Sequence, residues 1–220
     1  MKTLYSSTFL TAVLAFLILL GKTGTPVTII QNVPTPAFQT IIEPVGPAIS
    51  PAERGKVKIE IFNTFGCRAC DLFGQNVLPH VVEKYANNSE VELYLYLVPD
   101  RESEGELYAA RGAHCAARYD RFWDLIYKMH AAEELSKREV DLIGQELQLP
   151  LLEFRNCLGS DEFDERIGQD IAYSEARQIQ QKPTILVNNT VLIGAQPIEN
   201  IERIINKNSK FETRNTNINH

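Results

Sequence analysis

The sequence predicts an α/β domain, a short sheet covered by helices on both faces. Three observations carry this. Residues 57–62 (VKIEIF) and 91–98 (VELYLYLV) read as strands, and the segment between them has apolar residues at helical spacing. A block of helical patterns with no strand in it follows. After one more long helix, two short strands and a last helix end the pattern. The order β-α-β, helices, α-β-β-α is that of a layered sheet.

The elements follow in order within a chain of 220 residues. At 44% hydrophobic and 23% charged, its composition is that of a globular protein able to bury a core. A net charge of -6 without a basic block argues against a nucleic-acid surface. Residues 1–21 carry Lys2 and then an almost wholly apolar run at 9–20, the pattern of a signal peptide or of a retained membrane anchor. No good small-residue cleavage site follows, which favours the anchor, and either reading places the chain outside the cytoplasm. Residues 22–55 hold Pro26, Pro34, Pro36, Pro44, Pro47 and Pro51 and read as an extended, semi-rigid linker. The folded domain is expected at 56–207. A helix over 70–85 should bend at Pro79. Further helices are expected near 104–118, 120–132, 136–148 and 150–157, and a long one over 160–180 with Ser160 as its N-cap. Strands at 184–187 and 191–193 meet across Asn188-Asn189, a pair that tolerates a tight hairpin turn. A helix over 197–207 and a polar, disordered tail over 208–220 complete the chain. Tyr119, Phe122, Trp123 and Phe154 sit at helical spacing and read as core.

Four cysteines, Cys67, Cys70, Cys115 and Cys157, are too few for a disulfide-stapled scaffold. Cys67 and Cys70 lie between a strand and a helix, in Phe65-Gly66-Cys67-Arg68-Ala69-Cys70. Free N–H groups and the macrodipole at a helix N-terminus stabilise a thiolate there. Cys67 would be the attacking sulfur, and Cys70, one turn inside, the buried resolving one. The rival reading is a metal site, but four ligands are wanted, and only His80 and His114 could add to the pair.

Four motifs, in this order, resemble the DsbA-like branch of the thioredoxin superfamily over residues 59–205. They are the strand and CxxC from Ile61 to Cys70, Gly112-Ala113-His114-Cys115-Ala116-Ala117 leading to Phe122-Trp123, Phe154-Arg155-Asn156-Cys157-Leu158, and Lys182-Pro183-Thr184-Ile185-Leu186-Val187-Asn188 followed by Gly194 and Gln196-Pro197. The resemblance implies a thioredoxin fold with a helical domain inserted at about 102–158. It implies redox catalysis by Cys67 and Cys70, a substrate-binding cis-proline loop of Lys182, Pro183 and Thr184, and no cofactor or metal. Two departures stand out. Arg68 inside the CxxC and Lys182 before the proline are cations expected to favour the Cys67 thiolate. The family's buried acid, six positions before the first cysteine, is replaced by Ile61, and neighbouring Glu60 should face the other side of the sheet. Cys115 and Cys157 could form a structural disulfide in the insertion. The implied function is that of a dithiol oxidase acting on reduced or misfolded exported proteins and reset by a membrane redox partner. The alternatives are a reductase or isomerase with the same site, or a copper or zinc carrier. The implied place is the periplasm or the outer face of a bacterial cytoplasmic membrane, with membrane contact through the N-terminal segment.

Overall fold

Strand β1 (Val57–Asn63) runs through the middle of the sheet, and six of its seven residues are buried. A strand covered on both faces should be largely apolar; Val57, Ile59, Ile61 and Phe62 follow this, while the buried Glu60 and Asn63 are held by hydrogen bonds. The computed structural model describes residues 57–88 and 90–216. The expected signal or anchor, the linker and residues 217–220 lie outside them. Among the described residues no helix is long and apolar enough to cross a membrane.

β1 pairs in parallel with β2 (Val91–Leu97), in register from Val57 opposite Val91 to Asn63 opposite Leu97. Parallel neighbours need a crossover. Helices α1 (Arg68–Asn76) and α2 (Leu78–Tyr85) supply it. After β2 come α3 (Glu104–Ala117), α4 (Phe122–Ala131), α5 (Lys137–Glu146), α6 (Leu151–Leu158) and α7 (Asp164–Ala176). The hairpin β3 (Thr184–Val187) and β4 (Thr190–Ile193) then returns to the sheet, and α8 (Ile198–Thr216) closes the described chain. Strand order is β2-β1-β3-β4, with β3 antiparallel to β1 and to β4. Asn188 turns the hairpin with a φ of 51°. Ser103 and Ser136 cap α3 and α5 by accepting from the amides of Glu106 and Glu139.

Five boundaries differ from the sequence expectation. The single bent helix over 70–85 is two helices that break at Val77 (φ -119°, ψ -47°). Pro79 has no N–H to give, and its ring excludes the carbonyl four residues back, so the first helix stops before it. α1 also starts at Arg68 and not at Cys70, so Cys67 is its N-cap. The long helix starts at Asp164, because Ser160 closes the preceding helix instead, its Oγ donating to the Cys157 carbonyl at 2.8 Å. It ends before Gln178, whose φ of 56° is left-handed. α8 runs past Lys207 to Thr216, since residues 208–216 contain neither proline nor glycine to stop it.

Helices α3 to α6 lie between β2 and α7 in the chain, and the Cys115–Cys157 disulfide ties α3 to α6. Phe154 is fully buried, while Tyr119, Phe122 and Trp123 are half-buried against the core.

Candidate active site

β1 ends at Asn63, and the chain turns from the sheet into α1 through Thr64, Phe65 and Gly66. Gly66 has a φ of 75°, and a Cβ there would sit 2.6 Å from Leu135 Cδ1, so only glycine fits this turn. It delivers Cys67 to the N-cap in extended conformation (φ -95°, ψ 131°). The Cys67 Sγ accepts from the Cys70 amide at 3.1 Å. Cys67 is half-buried, Cys70 is wholly buried, and the two are joined in a disulfide. One sulfur is reachable from solvent and the other is not.

Opposite the pair stands the loop that enters β3. The Lys182–Pro183 peptide bond is cis. The Lys182 carbonyl oxygen lies 3.7 Å from Cys67 Sγ. Two bonds fix this loop: Gly194 N donates to the Pro183 carbonyl at 2.8 Å, and Thr184 Oγ1 donates to the Gln181 carbonyl at 2.7 Å. Thr184 also pairs with Phe62 of β1, which brings the loop level with the end of the strand that carries the cysteines.

Lys182 differs from the expectation. Its carbonyl meets the sulfur, while its ammonium donates to the Val98 carbonyl at 3.1 Å. The Val98 carbonyl closes the end of β2 and needs a donor, and the lysine stem reaches it. Arg68 is exposed at the first position of α1. His80 is exposed on α2. His114 is buried on α3, its ring stacked 5.3 Å from that of Phe163. Neither histidine has a contact with the cysteine pair among its described bonds.

Glu60 is buried and faces α7. It accepts from Tyr173 Oη at 2.5 Å, Tyr96 Oη at 3.5 Å and Arg177 at 3.4 Å, and pairs with Lys58 at 2.9 Å. Burial, then the Glu60 charge, pushes the Tyr96 hydroxyl far above its ordinary range. Asn63, three residues on, faces the opposite side, toward α4.

Sequence reasoning missed the polar residues under the cysteines. Asp71 Oδ1 accepts from Gly66 N at 3.2 Å and lies 3.0 Å from His130 Nδ1. His130 Nε2 lies 3.2 Å from Asn63 Nδ2, and its ring packs 4.7 Å from Phe65. Thr64 Oγ1 donates to Glu106 of α3. An acid directly after the CxxC was visible in the sequence. Nothing in the sequence links it to a histidine 59 positions away.

The comparisons agree with this geometry. A family model described as Thioredoxin matches residues 51–207. The chain belongs to that family, on its DsbA-like branch. The probable disulfide bond formation protein D of Bacillus anthracis is 29% identical over 164 residues, 70% of this chain and 74% of that protein. Its Bacillus cereus counterpart is 28% identical over the same length. Chlamydia trachomatis DsbA superposes with a TM-score of 0.65 at 18% identity, over 76% of this chain and 92% of that one. Oxidised BdbD from Bacillus subtilis gives 0.64 at 19% identity, over 76% and 94%. These structures share the fold, a thioredoxin fold with inserted helices. Thiol–disulfide oxidoreduction is the activity class of this DsbA-like chain.

Proposed function

We propose that the chain is a dithiol oxidase that introduces disulfides into exported proteins through Cys67 and Cys70. The observation that carries this is the pairing of a reachable sulfur at a helix N-cap with a buried one behind it. A substrate thiolate attacks Cys67 Sγ and breaks the Cys67–Cys70 bond. Cys70 leaves with the bonding electron pair and takes up a proton. A second substrate thiolate attacks the substrate sulfur of the mixed disulfide and releases Cys67 as a thiolate. Two electrons thus pass to the protein, and the substrate keeps the new disulfide. The Cys70 amide at 3.1 Å and the N-terminus of α1 favour the Cys67 thiolate, and the Arg68 charge adds to them. A thiolate held this way stabilises the reduced form and makes the disulfide a stronger oxidant, a relation well known from DsbA itself.

Lys182, Pro183 and Thr184 hold the substrate peptide beside Cys67. Exported proteins bearing free thiols are the substrates, and a redox partner in the membrane resets the pair. The place of action is outside the cytoplasmic membrane, with residues 1–21 as signal or anchor. The names of the Bacillus relatives support this direction of electron flow.

The test is the equilibrium of Cys67–Cys70 with glutathione buffers. An oxidase should have a potential well above the glutathione pool, toward the roughly −120 mV of strong oxidants, whereas a value near roughly −270 mV would mean a reductase. A pair that binds copper or zinc stoichiometrically and never exchanges would overturn both.

A further inference from the structure

Behind the redox pair lie a carboxylate and an imidazole that the exchange steps do not use. Asp71 directly follows Cys70, and its Oδ1 holds the amide of Gly66, the residue before Cys67. The same oxygen meets His130 Nδ1 at 3.0 Å. The His130 side chain has no exposed surface. α1 grips it from below. Gly74 leaves room for the ring, and Gln75 Nε2 donates to the His130 carbonyl. α4, part of the insertion, thus delivers one side chain to the redox helix.

The hydrogen bonds define two protonation states. A carboxylate only accepts, so His130 Nδ1 carries its hydrogen toward Asp71. Asn63 Nδ2 then donates to Nε2, and the ring is neutral. The buried Asn63 Oδ1 has no partner. A half-turn of that amide would put Oδ1 on Nε2, ready to accept from a second ring proton.

The charges decide what the two states do. An uncompensated Asp71 carboxylate opposes a thiolate on Cys67, while an imidazolium–carboxylate pair does not. The groups facing the ring are Asp71 and Gly74 from α1, Asn63 from β1, and Phe65 from the turn, while Gln75 of α1 holds the His130 backbone carbonyl. Glu106 of α3 is the next carboxylate, held on Thr64, and Arg68 is the nearby cation in sequence, exposed on the outer side.

We propose that His130 is a positioning residue for the redox pair. On taking up a proton it neutralises Asp71 and so favours the Cys67 thiolate and the reduced state. This rests on the reading of Cys67 as the attacking sulfur. Reduction then takes two electrons from the dithiol reductant. It leaves a thiolate on Cys67, a thiol on Cys70 and one proton from solvent on His130.

The test uses the full chain as wild type, His130→Asn, Asp71→Asn and the double variant. Asparagine at 130 keeps a donor toward Asp71 but cannot take the proton. Asparagine at 71 keeps the acceptor for Gly66 N without the charge. Two readouts are followed from pH 4 to 8: the ultraviolet absorbance of the reduced chain's thiolate and the glutathione equilibrium constant. H130N should raise the Cys67 midpoint. That rise should shift the equilibrium roughly tenfold toward the disulfide, as one pH unit of thiolate pKa implies, whereas D71N should stay near the wild-type midpoint, because an imidazolium–carboxylate pair and a neutral ring beside an amide carry the same net charge. In the D71N background, H130N should add nothing. An unmoved midpoint in H130N overturns the proposal, as does an equal H130N effect with and without Asp71. Should H130N not fold, D71N alone decides, since a midpoint that falls well below the wild-type value shows an uncompensated Asp71 carboxylate and overturns the proposal. A wild-type disulfide that never equilibrates with glutathione overturns the proposed function instead. The thiolate titration after chemical reduction still decides the role of His130.

Discussion

Gly74 of α1 lies against the imidazole of His130 so closely that a Cβ on the glycine would sit 2.1 Å from His130 Cδ2 and 2.2 Å from Cγ. The redox helix and the inserted helices meet at this contact. A side chain there has nowhere to go, because the ring is held by Asp71 and Asn63. Gly74→Ala should therefore lose about 1–3 kcal/mol of stability through overpacking. That loss outweighs the gain of about 1 kcal/mol from helix propensity. Urea unfolding measures it. A variant as stable as wild type would show that the ring can move away at no cost.

Cys70→Ser should leave mixed disulfides standing. Without a second thiol behind Cys67, no internal attack releases the bound peptide. A non-reducing gel with a disulfide-bonded peptide should show a stable adduct for C70S, formed as the Cys67 thiolate displaces one thiol of the peptide disulfide, and none for Cys67→Ser. Adducts on both variants would mean that Cys70, though buried, also attacks.

The Cys115–Cys157 disulfide closes a loop with a sequence separation of 42. Chain-entropy reasoning gives about 4 kcal/mol for a loop of that size. C115S/C157S should show a loss of that order in unfolding free energy, measured by urea titration. Its glutathione equilibrium at Cys67 should stay at the wild-type value, because α3 and α6 do not supply the redox pair. A changed equilibrium would place the disulfide in the site's electrostatics.

Two buried groups should give opposed pH dependences. Burial, partly offset by Arg166, pushes Asp170 up to about 6. Its stabilising contribution is full below its ordinary pKa of 3.8 and is lost as pH rises through about 6. Burial, aided by the Arg166 charge, pushes His114 down to about 4. Its contribution is full above its ordinary 6.5 and is lost as pH falls through about 4. Each amounts to about 3 kcal/mol, so the two nearly cancel between pH 4 and 6.5. Asp170→Asn should unmask a loss of stability on acidification, and His114→Gln a gain. Urea midpoints across that range check both. Wild-type profiles in the two variants would refute the assignment.

Much of the site was legible because it is local. Cys67, Cys70 and the turn at Gly66 lie within five residues, and the strand–turn–helix context shows in the hydrophobic pattern. The break at Val77 was less legible. Pro79 marks a disturbance, but whether a helix bends or divides depends on what packs at the break. Ser160 shows the same limit. A serine before a helical pattern can cap the next helix or close the last one, and the position of Cys157 in α6 decided for the latter.

The order of elements, the first strand and the cysteine pair at a helix start were settled by the sequence alone. Side-chain periodicity and turn chemistry act over a few residues, and they need no distant partner. The tertiary structure decided the rest. Lys182 turns its carbonyl and not its ammonium to the sulfur, Glu60 buries itself against Tyr173, and His130 meets Asp71 under the redox pair. Each of these contacts joins segments 59 to 115 positions apart in the chain. No local pattern encodes such a meeting, because it exists only once the helices have packed.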